Sequence, residues 1–337
     1  MNYKTSILAI ESSCDETSAS VVQNGKILSN IISTQPIHSQ YGGVIPELAS
    51  RAHEKNIIPV VNESLIIAGV EKSELSAVAF TQGPGLLGSL LVGCCFAKSF
   101  AQSLKIPLIG VHHIEAHIWA HFIGDNPPPF PFLCLVVSGG HTQIVLVLDF
   151  GKYQILGSTL DDAVGEAFDK VAKILGLPYP GGPHLDKNAQ KGNHKAFEFA
   201  IPEIKNYDYS FSGFKTSVLY FLNQKLSQNP LFIQENLADI CASAQYTLIE
   251  ILMRKLIKAA KDYNIKHIAI AGGVAANSEL RRRLLVEKQK YDWQVYIPAF
   301  QYCTDNAAMV AIASYYKYKN NDFLTQSATP YARYSMV

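Results

Sequence analysis

Four of the ten histidines fall within ten residues: His112, His113, His117 and His121. If the segment after Val111 is helical, His113 and His117 stand one above the other at i, i+4, and His121 is the next step on that face. Two imidazoles at this spacing can bind one metal ion. A lone helical histidine is ordinarily a surface group or a satisfied core group; a stack of two or three favours the metal. Glu115 bears on the obvious alternative, an HExxH peptidase, in which the Glu next to the first His reaches the metal-bound water. Here it follows His113 by two residues, about 200° around the helix from His113 and from His117. It faces away, so a peptidase of that type lacks its base.

Two histidines need further ligands. Cys303-Thr304-Asp305-Asn306 leads into a helical stretch. Asp305 reads equally as its N-cap or as the carboxylate of a two-His-one-carboxylate set, which with open positions suits iron(II). Ser138-Gly139-Gly140-His141-Thr142 forms a turn of small polar residues whose successive N–H groups can make an anion nest. Gly272-Gly273-Val274-Ala275-Ala276-Asn277 opens a helix with small residues that let a ligand approach, and Asn277 offers a donor and an acceptor. Arg281-Arg282-Arg283 reads as a solvated face with the option of phosphate contact. Asp161 to Lys170 carries four acids, by default a solvated helix face, and Pro178 to Asp186 is a rigid turn cluster. Gly83-Pro84-Gly85-Leu86-Leu87-Gly88 fits GxGxxG, but it sits a quarter of the way along the chain and the next strand ends in histidines rather than an acid. A close-packed strand-to-helix turn is the better reading.

The elements that must carry these residues are α/β. Ser6 to Ile10, Ser18 to Val22 and Ile27 to Ile32 form a strand–turn–strand–turn–strand pattern. It returns as Leu133 to Val137, Ile144 to Leu148 and Ile155-Leu156, with Gly25-Lys26 echoed by Gly151-Lys152. Such self-similarity predicts two related α/β lobes. Helices are expected over 44–68, 88–104, 163–175, 237–263 and 307–318, and strands over 77–81, 108–112, 267–271 and 294–297. The run Asp125 to Pro131, with three consecutive prolines, suits neither a helix interior nor a central strand and marks a passage between lobes. The stretch after Asn320 is expected to be polar and partly mobile.

Composition bounds the function. With 337 residues, 48% hydrophobic and 17% charged, the chain supports a large core in roughly two domains. Lys+Arg 29 against Asp+Glu 28 leaves a net charge of +1, which excludes a strongly basic nucleic-acid coat protein but not a local basic patch. The longest apolar run, Leu86 to Ala97, stops at Lys98, short of a membrane span, and Ile7 to Ile10 is too short for a signal sequence. The six cysteines form no CxxC and read as reduced thiols of a cytoplasmic protein.

Together the motifs resemble one family closely, the tRNA N6-adenosine threonylcarbamoyltransferases, formerly called O-sialoglycoprotein endopeptidases. The resemblance runs from Glu11-Ser-Ser-Cys-Asp-Glu-Thr17 through Gly42-Gly-Val-Ile-Pro-Glu47, Gln82-Gly-Pro-Gly-Leu86, His113-Ile-Glu-Ala-His117, Val136-Val-Ser-Gly-Gly-His-Thr142, Gly165-Glu-Ala-Phe-Asp-Lys170, Tyr179-Pro-Gly-Gly-Pro183, Phe211-Ser-Gly-Phe-Lys215 and Gly272-Gly-Val-Ala-Ala-Asn277 to Cys303-Thr-Asp-Asn306. Ala116 departs from the family's usual Gly. The resemblance implies an actin/Hsp70/sugar-kinase-like pair of lobes with the site in the cleft, divided here as residues 1–111 plus 306–337 and residues 112–305, the latter carrying the metal and adenylate site. It implies His113, His117 and Asp305 as ligands of one divalent metal, iron(II). The choice of His113 and His117 over His117 and His121 rests on this resemblance and on the place of His113 at a strand end. It implies that Val136, Val137, Ser138, Gly139, Gly140, Asp169, Gly182, Asp186 and Asn277 hold threonylcarbamoyl-AMP, whose threonylcarbamoyl group passes to N6 of adenosine 37 in tRNAs reading ANN codons. Implied partners are tRNA, a TsaB-like paralogue, a TsaE-like ATPase and a TsaC-type enzyme that makes the adenylate, with no membrane. Asp15 and Glu16, in the first turn, are candidates for proton handling or positioning. The rival classes are a nucleotide-binding regulatory scaffold and a metalloendopeptidase.

Overall fold

The computed structural model describes residues 4–336. The chain forms two compact units. One runs to Pro127 and resumes at Pro298; the other is Pro128–Ile297. These boundaries differ from the expected 111/112 and 305/306. Residues 112–127 and 298–305 belong to the first unit because the helix after residue 112 packs on the helix after residue 306. The change of unit falls inside the triple proline, where neither helix nor central strand can continue.

In the first unit the chain runs β1 (Ser6–Glu11), β2 (Thr17–Gln23), β3 (Lys26–Ser33), α1 (Pro46–Ala68), β4 (Ala77–Gly83), α2 (Leu87–Leu104), β5 (Leu108–His112) and α3 (His113–Trp119). The sheet order is β3-β2-β1-β4-β5. β2 is antiparallel to β1, whereas β4 is parallel to β1 and β5 to β4. β1 is buried along its whole length, which is why its sequence is a continuous apolar run rather than an alternating one. α1 stops at Gly69, whose positive φ lets its N–H bond the carbonyls of Leu65 and Ile66.

The second unit runs β6 (Phe132–Val137), β7 (Thr142–Asp149), β8 (Lys152–Ser158), α4 (Val164–Ile174), α5 (Gly181–Ala189), α6 (Ser212–Leu226), α7 (Phe232–Asp262), β9 (His267–Ala271), α8 (Ser278–Tyr291) and β10 (Gln294–Tyr296). Its sheet order is β10-β9-β6-β7-β8. In each unit the first strand is central, with the second and third on one side and the fourth and fifth on the other. The duplication read from the turns is therefore a duplication of topology. The chain then returns to the first unit as α9 (Ala307–Lys319).

Two expectations are corrected. α5 and α6 were not foreseen, and the turn cluster at 178–186 contains the start of α5. α2 runs past Lys98 as expected of the 88–104 helix, and by length and composition alone it could cross a membrane. Its Ser89, Leu90, Gly93, Cys94, Ala97 and Ala101 are instead buried, and the helix packs on β4 and α1. The segment after Asn320 is tied down rather than loose. Leu324 N–H donates to the Leu108 carbonyl at 2.8 Å, Tyr331 N–H to that of Gln82 at 2.8 Å, and Gly85 N–H to that of Ala332 at 3.2 Å. A Cβ on Gly83, whose φ is +147°, would overlap the Tyr331 carbonyl, so the GxGxxG run is the close-packed turn expected of it.

Candidate functional site

α3 begins where β5 ends. His112 is its N-cap, its Nδ1 accepting the Ile114 and Glu115 N–H groups at 3.1 and 3.4 Å. Its Nε2–H donates to the Tyr334 carbonyl at 3.0 Å, so the strap from the end of the chain fixes the tautomer that caps the helix. Burial holds His112 well below the ordinary histidine value, at about 4, and a neutral ring is what this double role requires. One turn of α3 then brings His113 and His117 together, with ring centroids 4.8 Å apart.

Both rings turn Nε2 toward Asp305, from the loop before α9. The distances to its Oδ1 are 3.5 Å from His113 and 3.1 Å from His117. The three ligand atoms lie within 4.8 Å of one another. Asp305 is not the cap of α9. Asn306 takes that role, its Oδ1 accepting Met309 N–H at 3.1 Å. His117 Nδ1 is buried without a hydrogen-bond partner. Two imidazole nitrogens and a carboxylate oxygen, all within 4.8 Å of one another, fit a divalent cation of borderline softness. His121 is outside this group: α3 gives way to a tighter turn at Ala120–Phe122, which breaks the stacking that a continuous helix would have given. Glu115 is directed elsewhere, beside Lys317 and Asp322, its pKa raised by burial. Glu115 therefore cannot serve as the base that the peptidase reading requires of it.

Behind His113 lies a carboxylate that the sequence reading had left out of the site. Glu11, the last residue of β1, is fully buried. It accepts Ser13 N–H at 2.6 Å, the Thr81 hydroxyl at 2.6 Å and, at 3.3 Å, His113 Nδ1. An acid closing an otherwise apolar strand was the available signal. Burial opposes charge on His113, but Asp305 and Glu11 outweigh it and raise the ring to about 9. Asp15 and Glu16 occupy the turn between β1 and β2. His53 of α1 holds this turn, its Nε2 donating to the Cys14 carbonyl at 2.9 Å and its Nδ1 accepting the Thr17 hydroxyl at 2.8 Å. Burial, then the negative charges of Asp305 and Asp15, push the Glu16 carboxyl up to about 9, so it keeps its proton at neutral pH.

In the second unit, Val136 and Val137 end β6 as fully buried strand residues. The turn that follows is closed by Ser138 N–H to the His141 carbonyl at 2.8 Å and His141 N–H to Ser138 Oγ at 3.0 Å. Cβ atoms on Gly139 or Gly140 would meet open space. Asp169 Oδ1 accepts the N–H groups of Gly181 and Gly182 at 2.8 and 3.1 Å and so starts α5. Asp186 binds the first turn of α8, its Oδ2 accepting Ser278 N–H at 3.2 Å and its Oδ1 the Ser278 hydroxyl at 2.5 Å. Asn277 caps α8 through Leu280 N–H at 3.0 Å, and Gln245, unremarked in the sequence, joins Asn277 at 3.0 Å to Asp186 at 2.9 Å. The three arginines are committed within the unit, Arg281 to the Ala275 carbonyl, Arg282 to Glu279 and Arg283 to Glu250.

The sequence profile "TsaD: tRNA N6-adenosine threonylcarbamoyltransferase" matches residues 26–312. The chain belongs to this family. The tRNA N6-adenosine threonylcarbamoyltransferase of Christiangramia forsetii is 58% identical over 336 residues, covering 99% of each chain. That of Riemerella anatipestifer is 58% identical over 333 residues, covering 98% of each. The activity of a tRNA N6-adenosine threonylcarbamoyltransferase is transfer of a threonylcarbamoyl group to N6 of an adenosine in tRNA, and this chain is a transferase of that kind. Among solved structures, HypF of T. kodakarensis aligns with TM-score 0.62 at 14% identity, over 97% of this chain and 49% of that one. Component A of the Acidaminococcus fermentans (R)-2-hydroxyglutaryl-CoA dehydratase aligns with TM-score 0.54 at 16% identity, over 95% and 100%. These likenesses concern the fold alone, the actin-like α/β pair of lobes.

Proposed function

We propose that His113, His117 and Asp305 hold one divalent cation, iron(II), and that Val136 to Gly140, Asp169, Gly182, Asp186 and Asn277 hold threonylcarbamoyl-AMP for transfer to adenosine 37 of tRNAs reading ANN codons. The observation that carries the metal assignment is the convergence of two Nε2 atoms on one Asp305 oxygen.

The chemistry explains why such groups are needed. The donor is a mixed anhydride of a carbamic acid and a phosphate. N6 of adenine is a weak nucleophile, because its lone pair is shared with the ring. It attacks the carbamoyl carbon, the carbon–oxygen bond to phosphate breaks, AMP leaves with the electron pair, and N6 loses a proton. When bound, a divalent cation supplies Lewis-acid polarisation and neutralises phosphate charge. The N–H groups of Ser138 to Gly140 are suited to the carbamoyl or phosphate oxygens. Asp186 and Asn277 flank the start of α8, where a ribose or adenine is accommodated. Asp15 and Glu16, in the first turn, are the candidates for proton handling or positioning. Direct transfer with no acyl-enzyme is the favoured route, because the mixed anhydride already carries a phosphate as its leaving group.

The family resemblance supports a TsaB-like paralogue and a TsaE-like ATPase as partners in the cytoplasm. The near-neutral chain, at +1, supports reliance on them or on a local patch for tRNA affinity. Mass spectrometry of tRNA after incubation with this chain, the partners and threonylcarbamoyl-AMP tests the proposal. Modified adenosine 37 with wild-type chain, and none with His117→Ala, is the expected result. Undiminished modification by His117→Ala would overturn the metal assignment.

A further inference from the structure

We infer that Glu11 is a positioning residue for His113: its carboxylate accepts the Nδ1–H of that ring and thereby presents Nε2, unprotonated, to the cation. The inference rests on the metal assignment above and names a residue outside the ligand set.

A fully buried carboxylate at the end of a central strand is costly unless its lone pairs are satisfied. Glu11 has two fixed donors in addition to the histidine. Ser13 N–H holds Oε1 at 2.6 Å, and the Thr81 hydroxyl holds Oε2 at 2.6 Å. These two bonds anchor the carboxylate to β1's own turn and to β4, so its position does not depend on the imidazole. The remaining direction of Oε2 meets His113 Nδ1 at 3.3 Å. On the other side of the same ring, Nε2 faces Asp305 at 3.5 Å. An imidazole with a carboxylate at one nitrogen and the ligand cluster at the other is set up as a carboxylate–histidine–metal relay. In that arrangement the outer acceptor fixes tautomer and ring rotation and makes the ligating nitrogen more basic. His117 has no such support, since its Nδ1 is buried without a partner. The two histidines are therefore unequal: both turn Nε2 to Asp305, but only His113 has an acid at its Nδ1. Ser13 Oγ, 3.2 Å from the same Nδ1, is the competing acceptor, and a test has to separate the two.

The full-length chain is titrated with Co²⁺ by calorimetry, with the visible absorption of the bound ion recorded alongside. Glu11→Gln keeps the shape and an acceptor for Ser13 while removing the charge. It is expected to weaken Co²⁺ binding about 10- to 100-fold and to shift the absorption bands. Ser13→Ala should stay within about threefold of wild type. Unchanged affinity in Glu11→Gln, with binding abolished in His117→Ala, would leave the metal site standing and overturn the role of Glu11. A loss in Ser13→Ala without one in Glu11→Gln would overturn it too, by giving the role to the hydroxyl. Binding unaffected by His117→Ala would remove the metal site, and this inference with it. Should Glu11→Gln not fold, nitrogen-15 spectra of the wild-type chain loaded with Zn²⁺ decide. Nδ1–H and metal-bound Nε2 on His113 are expected, and metal at Nδ1 overturns the proposal.

Discussion

Asp305 and Asn306 are neighbours that divide two tasks one might have given to either. Asn306 caps α9 through Met309 N–H, while Asp305 turns its Oδ1 to within 3.1 Å of His117 Nε2. Because a capping oxygen must lie over the first turn of its own helix, one residue cannot serve both. The neighbouring pair lets helix and ligand cluster be fixed independently.

Substitutions at the two positions should separate accordingly. Asn306→Ala is expected to lower stability by about 1 kcal/mol, the usual cost of a lost N-cap, while bound metal is retained. Asp305→Ala should lose metal, and in the metal-free chain any change in stability comes from the two histidines it leaves without that acceptor, not from the α9 cap. Denaturant unfolding in the presence of a chelator, with metal content measured separately, tests both.

The ligand assignment makes a sharper demand. Alanine at 113, 117 or 305 should remove bound metal and tRNA modification together, whereas His121→Ala should leave both largely intact. Plasma mass spectrometry on the four variants reads the metal directly. Metal lost from the 121 variant but kept in the 113 variant would show the wrong pair to have been chosen.

Gly139→Val tests the second-unit turn. A Cβ there meets no protein atom, so the side chain should be tolerated by the fold and should obstruct only a ligand lying over the turn. AMP binding measured by calorimetry should weaken at least tenfold, with the melting temperature little changed. The same affinity with a lower melting temperature would make the turn purely structural.

His112 gives a pH dependence with a definite sign. Its folded value of about 4 lies below the ordinary 6.5 because the buried ring resists charge. The unfolded chain therefore binds the extra proton first. The stability contributed by neutral His112 is present above about 6.5 and is lost as pH falls from there through about 4, a total on the order of 3 kcal/mol. His112→Asn keeps a capping side chain and should flatten the stability profile in that window. Parallel profiles for variant and wild type would contradict the assignment.

What could be read from the sequence was what short-range pattern records. Gly25-Lys26 and Gly151-Lys152 marked equivalent hairpins, so the doubled sheet was legible. The i, i+4 spacing marked His113, His117 and His121 alike, and the choice of the first two rested on the family resemblance and the strand end. What escaped depends on groups distant in the chain. α5 begins with Gly181-Gly182-Pro183, which reads as a turn, and is started by Asp169, twelve residues back. The boundaries between units were displaced because α3 packs on α9, a contact no local pattern encodes. Glu11 was visible as a residue, but its meaning comes from Thr81 and His113, which the parallel strands bring beside it.

The strap formed by residues 324–334 has a colloidal consequence as well as a local one. β5 is the last strand of its sheet, and such a strand offers a row of backbone groups to any passing chain. Leu324 bridges antiparallel to Leu108 at the start of that strand, and Tyr334 reaches His112 at its end. The protein thus supplies its own blocker at both ends of this edge strand. A chain shortened before Leu324 would keep its sheet but expose this edge, and its failing would be self-association rather than unfolding.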